Sequence, residues 1–140
     1  MVTRRQLLGL VLVPVAGALV GCQARTDDPR LLLLRADPVA TWRPPNLVEE
    51  IVKEIPAEPG GFFGGHNFVS LSRRLVFGAG ADALGAKEAI LAIAEANGWS
   101  RPPLGGDDGR VKELANGSSG SLYVSIDSNP LTLNLNLRAD

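Results

Sequence analysis

Strict alternation of apolar and polar residues near the carboxyl end constrains this sequence more than any other feature. Over residues 122–127 and again over 131–137, every second residue is aliphatic, and the residues between carry hydroxyl, amide or acidic side chains. Successive side chains of a strand point to opposite faces of a sheet, so each run predicts a strand with one apolar face. The turn residues Ser128-Asn129-Pro130 predict a β-hairpin between them.

Upstream segments extend this sheet. Phe68 to Phe77 alternates in the same way, although Arg73 falls on the apolar side. Leu47 to Ile55 is ambiguous, because its apolar residues also fit one face of a capped helix. Its β-branched residues, and the need of the next strand for a partner, favour a strand. A further short strand is predicted around Val111 to Leu114.

One helix is predicted between these strands. Asp82 can cap its start, and Asn97-Gly98 is the expected left-handed stop, which positions Trp99 to contact Ala94 in a Schellman motif. At 100° per residue, the side predicted to face the sheet consists of Ala86, Ala89, Ile90, Ile93 and Ala96. We therefore expect an α+β fold: a two-layer sandwich in which a mostly antiparallel sheet, in the order ββαβββ, carries one Ala-rich helix on its apolar face.

The segment before the sheet, residues 29–46, is less regular. Asp28-Pro29 is a good start for a short helix that would end before Pro38, although the four consecutive leucines in it would equally suit a buried strand. Trp42 is expected to pin the proline-rich stretch that follows. Two leucines, Leu84 and Leu91, lie on the charged side of the predicted helix. We expect this segment to cover them; the alternative is that they face a partner.

The first 21 residues have the three-part layout of an export signal. Arg4 and Arg5 form a positive start, a mostly apolar stretch follows, and small residues precede Cys22. A spanning helix needs about 20 apolar residues, whereas the run from Leu7 to Gly21 is shorter and has a proline in its middle. A cleaved signal is therefore expected.

Leu19-Val20-Gly21-Cys22 resembles the lipobox of bacterial lipoproteins at all four positions. The resemblance implies that diacylglycerol is attached to the Cys22 sulfur, that the chain is cleaved before Cys22, and that the new amino terminus receives an acyl group such as palmitate. Two or three acyl chains hold a protein firmly at a membrane. Thr3-Arg4-Arg5-Gln6-Leu7-Leu8 looks like a twin-arginine export motif, although general secretory signals can also carry paired arginines. An ordinary cleaved signal that leaves a free thiol is the alternative.

This interpretation divides the chain into a cleaved signal peptide (1–21), a lipidated tether (22–28) and a single α+β domain (29–140) on the extracytoplasmic face of the cell membrane. Loss of the signal changes the side-chain net charge from −1 to −3, because two arginines and no acidic residue leave with it. Such a mildly acidic domain does not suit nucleic acid as a partner. We expect an envelope protein instead.

The composition and the final elements of the chain are similar to those of a known group of proteins. Arginine outnumbers lysine by 11 to 3, and a helix ending in Asn97-Gly98-Trp99 precedes a closing β-hairpin. In these features the chain resembles small uncharacterised lipoproteins of actinobacteria. That resemblance implies no known activity.

The sequence contains no recognisable catalytic or metal-binding constellation. A non-enzymatic binding or accessory role in the cell envelope is therefore expected, with no cofactor other than the lipid on Cys22. His66, the only histidine, lies in a Gly-rich loop and offers an alternative, an envelope hydrolase or transferase. Gly78 to Ala83 matches the dinucleotide fingerprint, but its acidic cap and antiparallel neighbours favour a simple turn. Asp107-Asp108 is interpreted as a solvated turn.

The polar face of the predicted sheet offers a second alternative, a site for a small ligand. Eight residues are expected on it: Ser70, Ser72, Arg74, Tyr123, Ser125, Thr132, Asn134 and Asn136. Short hydroxyl and amide side chains around one tyrosine and one arginine could bind a polar molecule or a glycan. Arg74, Tyr123, Ser125 and Asn134 are the residues predicted to face it.

Overall fold

A computed structural model describes residues 28–58, 60 and 64–140. The helices and strands of this part of the chain are α1 (Pro29–Ala36), α2 (Pro38–Thr41), β1 (Leu47–Ile55), β2 (Val69–Phe77), α3 (Ala83–Ala96), β3 (Gly109–Glu113), β4 (Ser119–Ser128) and β5 (Leu131–Ala139). After the two short amino-terminal helices, the order is ββαβββ. The predicted α+β fold is therefore confirmed.

The strands form one five-stranded sheet in the order β1-β2-β5-β4-β3, with every neighbouring pair antiparallel. Leu47 to Ile55 is the edge strand β1, which resolves its ambiguity in favour of a strand. The hairpin between β4 and β5 turns at Asn129-Pro130, between the paired residues Ser128 and Leu131. β5 lies at the centre of the sheet, where alternation in the sequence is strictest.

The inner face of the sheet carries the core. Its fully or almost fully buried aliphatic side chains are Leu71 and Leu75 on β2, Leu122 and Val124 on β4, and Leu133, Leu135 and Leu137 on β5. Burial of each such side chain contributes about 1.5–3 kcal/mol. Leu31 and Leu34 of α1 and Ile90 of α3 cover this face and are themselves inaccessible to solvent.

α3 begins and ends as the sequence predicts. The Asp82 carboxylate accepts a hydrogen bond from the Gly85 amide at 2.8 Å. At the other end, Gly98 has a φ of +90°, and the Trp99 amide donates to the Ala94 carbonyl at 3.1 Å. Gly98 is thus the left-handed residue directly after the Asn97 cap, and the bond from Trp99 back to Ala94 is the one that defines a Schellman motif.

The predicted sheet-facing side of α3 is wrong in part. Ala89 and Ala96 are exposed, whereas the buried line of the helix consists of Ala83, Ala86, Ile90 and Ala94. The helix is thus rotated towards Leu91, which packs against the core. Leucine buries more apolar surface than either alanine, so this rotation is favourable. The expected cover over Leu84 is absent in the described part of the chain, where that side chain is 61% exposed.

The amino-terminal segment is more helical than predicted. α1 ends before Pro38 as expected, but Pro38 also begins α2, because the Asp37 carboxylate caps that helix by accepting from the Val39 amide at 3.0 Å. The same carboxylate accepts from the Trp99 indole at 3.1 Å and from the Lys112 ammonium at 3.0 Å. Asp37 therefore joins the two helices to the end of α3 and to β3.

Arg73, the inward arginine of β2, is 2% exposed and fully engaged. Its guanidinium donates to the Glu50 carboxylate at 2.7 and 2.9 Å, and to the carbonyls of Val39 and Trp42 at 3.1 and 2.8 Å. A buried charge needs a charged partner and hydrogen bonds. The end of α2 and the facing strand β1 supply both.

Candidate functional site

Part of the predicted site lies outside the described residues. Cys22 and the signal residues Arg4, Arg5, Leu19, Val20 and Gly21 precede residue 28, where the description begins. Among the residues that the structure does describe, no helix is both long and apolar enough to cross a membrane.

The outer face of the sheet, opposite the helices, brings the predicted ligand-facing residues together. We define this outer face by two rows of directly paired residues: Ile51, Arg74, Asn134 and Ser125, and beside them Lys53, Ser72, Asn136 and Tyr123. Directly opposite residues in such rows have Cβ atoms about 4.5–5.5 Å apart. Strand alternation alone places all four predicted residues on this surface.

Two cations stand at one side of the outer face. Arg74 is exposed on β2, and Lys53 is exposed on the neighbouring strand β1, one row away. Neither forms an ion pair within the described residues. A shallow groove of about 350 Å³ runs between these two side chains and the amides Asn134 and Asn136. The groove thus offers ammonium, guanidinium and amide donors to a polar or acidic group.

The other side of the outer face is amphipathic. Tyr123 is 55% exposed and lies opposite Asn136. The Asn134 amide donates to the Asp127 carboxylate at 2.8 Å, which fixes its orientation next to Ser125. An exposed phenol beside oriented amides can stack on a ring and bond to hydroxyl groups.

Two residues predicted for the polar face contribute little to this surface. Thr132 is fully buried, and its hydroxyl donates to the Pro130 carbonyl at 2.8 Å. Ser70 is 5% exposed and lies opposite Arg138, whose guanidinium sits 4.0 Å from the centre of the Phe68 ring. The loop before β2 therefore packs near this end of the sheet.

His66 is held by its own loop. Its Nδ1 lies 3.1 Å from the Phe68 carbonyl, and its ring stacks on the Phe68 ring with centroids 4.2 Å apart. The His66 carbonyl accepts from the Glu58 amide at 3.0 Å, closing the loop. One imidazole nitrogen is thereby engaged with backbone.

The Gly78 to Ala83 stretch forms the tight connection between β2 and α3. Gly80 has a φ of +77°, a conformation that favours glycine. The Gly85 amide at the start of α3 already donates a hydrogen bond to the Asp82 carboxylate. The sheet around this turn is antiparallel, whereas the dinucleotide motif belongs to a parallel βαβ unit.

Three carboxylates near the helices have lowered pKa values. Burial of the Glu50 carboxylate raises its pKa, but hydrogen bonds from Arg73 and Arg43 outweigh this and leave the pKa below its usual value. A bidentate hydrogen bond from Arg35 lowers the pKa of Glu54, against the opposing effect of burial. Arg30 lowers the pKa of Asp28 in the same way.

Sequence reasoning missed two features, Lys53 on the outer face and the links that Asp37 makes on the helix side of the sheet. Lys53 falls on the outer face only if Leu47 to Ile55 is a strand, in which residues 49, 51, 53 and 55 share that face. Asp37, 5% exposed, showed only the signal of a helix cap and none of its link to Lys112. Across residues 28–140, leaving aside 59 and 61–63, no three His, Cys, Asp or Glu side chains cluster closely enough to hold a metal ion.

No protein-family model, curated protein or solved structure matches this chain.

Proposed function

We propose that this protein is a lipoprotein, anchored through lipidated Cys22 to the extracytoplasmic face of the cell membrane, with a non-enzymatic binding or accessory role in the cell envelope. The lipobox supports the anchor. The domain begins with the Asp28 cap of α1, six residues after Cys22. Those residues span at most about 20 Å when extended, so the domain is held close to the bilayer.

The observation that carries the binding role is the orientation of the sheet relative to the start of α1, where the proposed tether would join the domain. α1 directly follows the tether and packs on the inner face of the sheet through Leu31 and Leu34. Beside its start lies an apolar patch formed by Pro29, Leu32, Leu33 and Ala115. Asp28, the first described residue, and this patch lie on the helix side of the sheet, and the polar outer face lies on the other. In the proposed attachment, the outer face points away from the bilayer, towards other envelope components.

Two experiments test this proposal separately. In detergent phase partitioning, we expect the wild type in the detergent phase and mature-length Cys22→Ser in the aqueous phase. If both remain aqueous, the anchor is wrong. For the binding role, a photo-crosslinking residue replaces Asn136 on the outer face, and a matched variant carries it at exposed Glu88 on α3. We expect a specific product in native membranes from position 136 alone. No product, or the same product from both positions, would contradict binding by this face.

A small-ligand role for the same face is the second candidate, and the groove between Lys53 and Arg74 favours it. The two cations indicate a ligand with an acidic group, and the neighbouring amides of Asn134 and Asn136 suit one that also carries hydroxyl groups, such as an acidic sugar. Binding to the folded state alone raises the midpoint of thermal unfolding. We expect such a shift with uronic acids in the wild type, and its loss in Arg74→Ala. Absence of any shift in the wild type would remove this candidate.

A further inference from the structure

β1 leaves one edge of the sheet open. It is nine residues long and pairs on one side only, with β2. Within the described residues, no segment pairs with its other side. The opposite edge differs, because β3 has five residues and Ser100 forms a bridge to Val111 on its free side. An open edge strand presents unpaired amides and carbonyls that can pair with another chain.

Several apolar side chains of β1 are exposed to solvent at this edge. Ile51 is 46% exposed on the outer face, and Val52, which lies opposite the buried Arg73, is 53% exposed on the inner face. The exposure of Val52 shows that the helices leave the middle of the inner face of β1 partly open, although Arg35 of α1 reaches Glu54.

The charges of β1 select the partner. Glu50 and Glu54 are engaged by arginines of the same chain, Arg73 and Arg35. Glu49 and Lys53 share the outer face and have no partner among the described residues. They are four residues apart, about 13 Å along a strand, which is too far for an ion pair with each other. The edge thus carries one unpaired charge of each sign, placed symmetrically about Ile51.

We propose that two copies of this chain pair through β1, antiparallel and in register about Ile51. Directly opposite residues of an antiparallel pair point to the same face of the sheet. When the two strands are copies of β1, the two-fold axis therefore passes between one residue and the same residue of the other copy. With the axis at Ile51, Glu49 of each copy lies opposite Lys53 of the other, on the same face. With the axis at Glu50, two glutamates would face each other, and with the axis at Val52, Glu50 would face Glu54 twice. Only the register about Ile51 pairs opposite charges.

The pairing joins two five-stranded sheets into one of ten strands. Ile51 then contacts its counterpart on the outer face, and Val52 lies diagonal to its own counterpart on the inner face. The two outer faces become one continuous polar surface with the isoleucine pair at its centre. The inference does not depend on the lipid anchor, because it uses only the sequence and geometry of β1.

Disulfide trapping of the full chain tests the register. Opposite residues in an antiparallel pair have Cα atoms about 4.5–5.5 Å apart, which suits a disulfide. In Ile51→Cys, we expect mild oxidation to give a covalent dimer. Val48→Cys is the matched control, because residues 48 of the two copies would lie about 20 Å apart along the strand. The wild-type chain accounts for any linkage between two Cys22 residues, and Val48→Cys accounts for linkage of Cys22 to an introduced cysteine.

Charge reversal tests the partner. In the Ile51→Cys background, we expect Glu49→Lys and Lys53→Glu each to weaken dimerisation about tenfold, because each variant faces itself with two like-charged pairs. Mixed together, these two variants form two Glu–Lys pairs, and we expect the dimer to return. This rescue excludes misfolding as the cause of the loss. A yield no greater from Ile51→Cys than from Val48→Cys, failure of the mixture, or linkage to a different protein would overturn the proposal.

Discussion

Replacement of Arg73 by methionine tests how much the ion pair between Arg73 and Glu50 contributes to the stability of the fold. The substitution removes a guanidinium that makes two hydrogen bonds to the Glu50 carboxylate and one each to the Val39 and Trp42 carbonyls. Methionine has a similar length and can fill the space between α2 and the sheet. The change therefore isolates the loss of charge and hydrogen bonds from the loss of packing.

The expected loss follows from burial. The Arg73 side chain is 1% exposed and that of Glu50 is 15% exposed, so this is a buried ion pair. Removal of one partner of such a pair reduces the free energy of unfolding by about 3–5 kcal/mol. Arg43 remains on the other oxygen of Glu50 at 2.8 Å, which places the expected loss near the lower value. The double variant Arg73→Met/Glu50→Gln also removes the Glu50 charge that Arg73 no longer neutralises. We expect its free energy of unfolding to be about 1 kcal/mol higher than that of Arg73→Met.

Urea unfolding, followed by the fluorescence of Trp42 and Trp99, measures these changes. Arg74→Met is the matched control, since Arg74 is the next residue, is exposed and has no partner within the described residues. We expect it to change the free energy of unfolding by less than about 0.5 kcal/mol. If Arg73→Met were no more destabilising than Arg74→Met, the buried pair would not stabilise the fold and this reasoning would be refuted.

Two further predictions concern the loss of stability at low pH and the glycine at the end of α3. Glu50 has a lower pKa when folded than its ordinary value of 4.5, so its contribution to stability is complete above that pH and is lost as pH falls through the folded value. Between pH 7 and pH 3, Glu50→Gln should therefore lose less unfolding free energy than the wild type; equal losses would contradict this. Gly98→Ala should reduce unfolding free energy by about 1 kcal/mol, because φ there is +90°. Gly106→Ala, where no positive φ and no neighbour within 4 Å oppose a methyl group, should have almost no effect.

Local chemistry made the strands and the main helix predictable. Alternation in β4 and β5 defines which side chains share a face, because that property depends only on adjacent residues. The cap at Asp82 and the stop at Gly98 also follow from neighbouring residues. For the same reason, the outer-face positions of Arg74, Tyr123, Ser125 and Asn134 could be predicted from sequence, although their binding of a ligand stays a prediction.

Long-range packing was not predictable. The strand order places β5 between β2 and β4, which no local rule dictates. The pairing of Arg73 with Glu50 joins residues 23 positions apart, and that of Asp37 with Lys112 joins residues 75 apart. The rotation of α3, which exposes Ala89 and Ala96, depends on how Leu91 meets the sheet. In each case, the partner becomes known only when the layers are assembled.

Mass spectrometry of the amino-terminal tryptic peptide tests the proposed anchor most directly. Cleavage before Cys22 and after Arg25 yields the peptide Cys22-Gln23-Ala24-Arg25. For wild-type protein isolated from membranes, we predict this peptide with diacylglycerol on sulfur and an acyl group on nitrogen, and its absence from Cys22→Ser. An unmodified peptide that begins at Cys22, or a peptide running uncleaved from Gln6 to Arg25, would contradict the account.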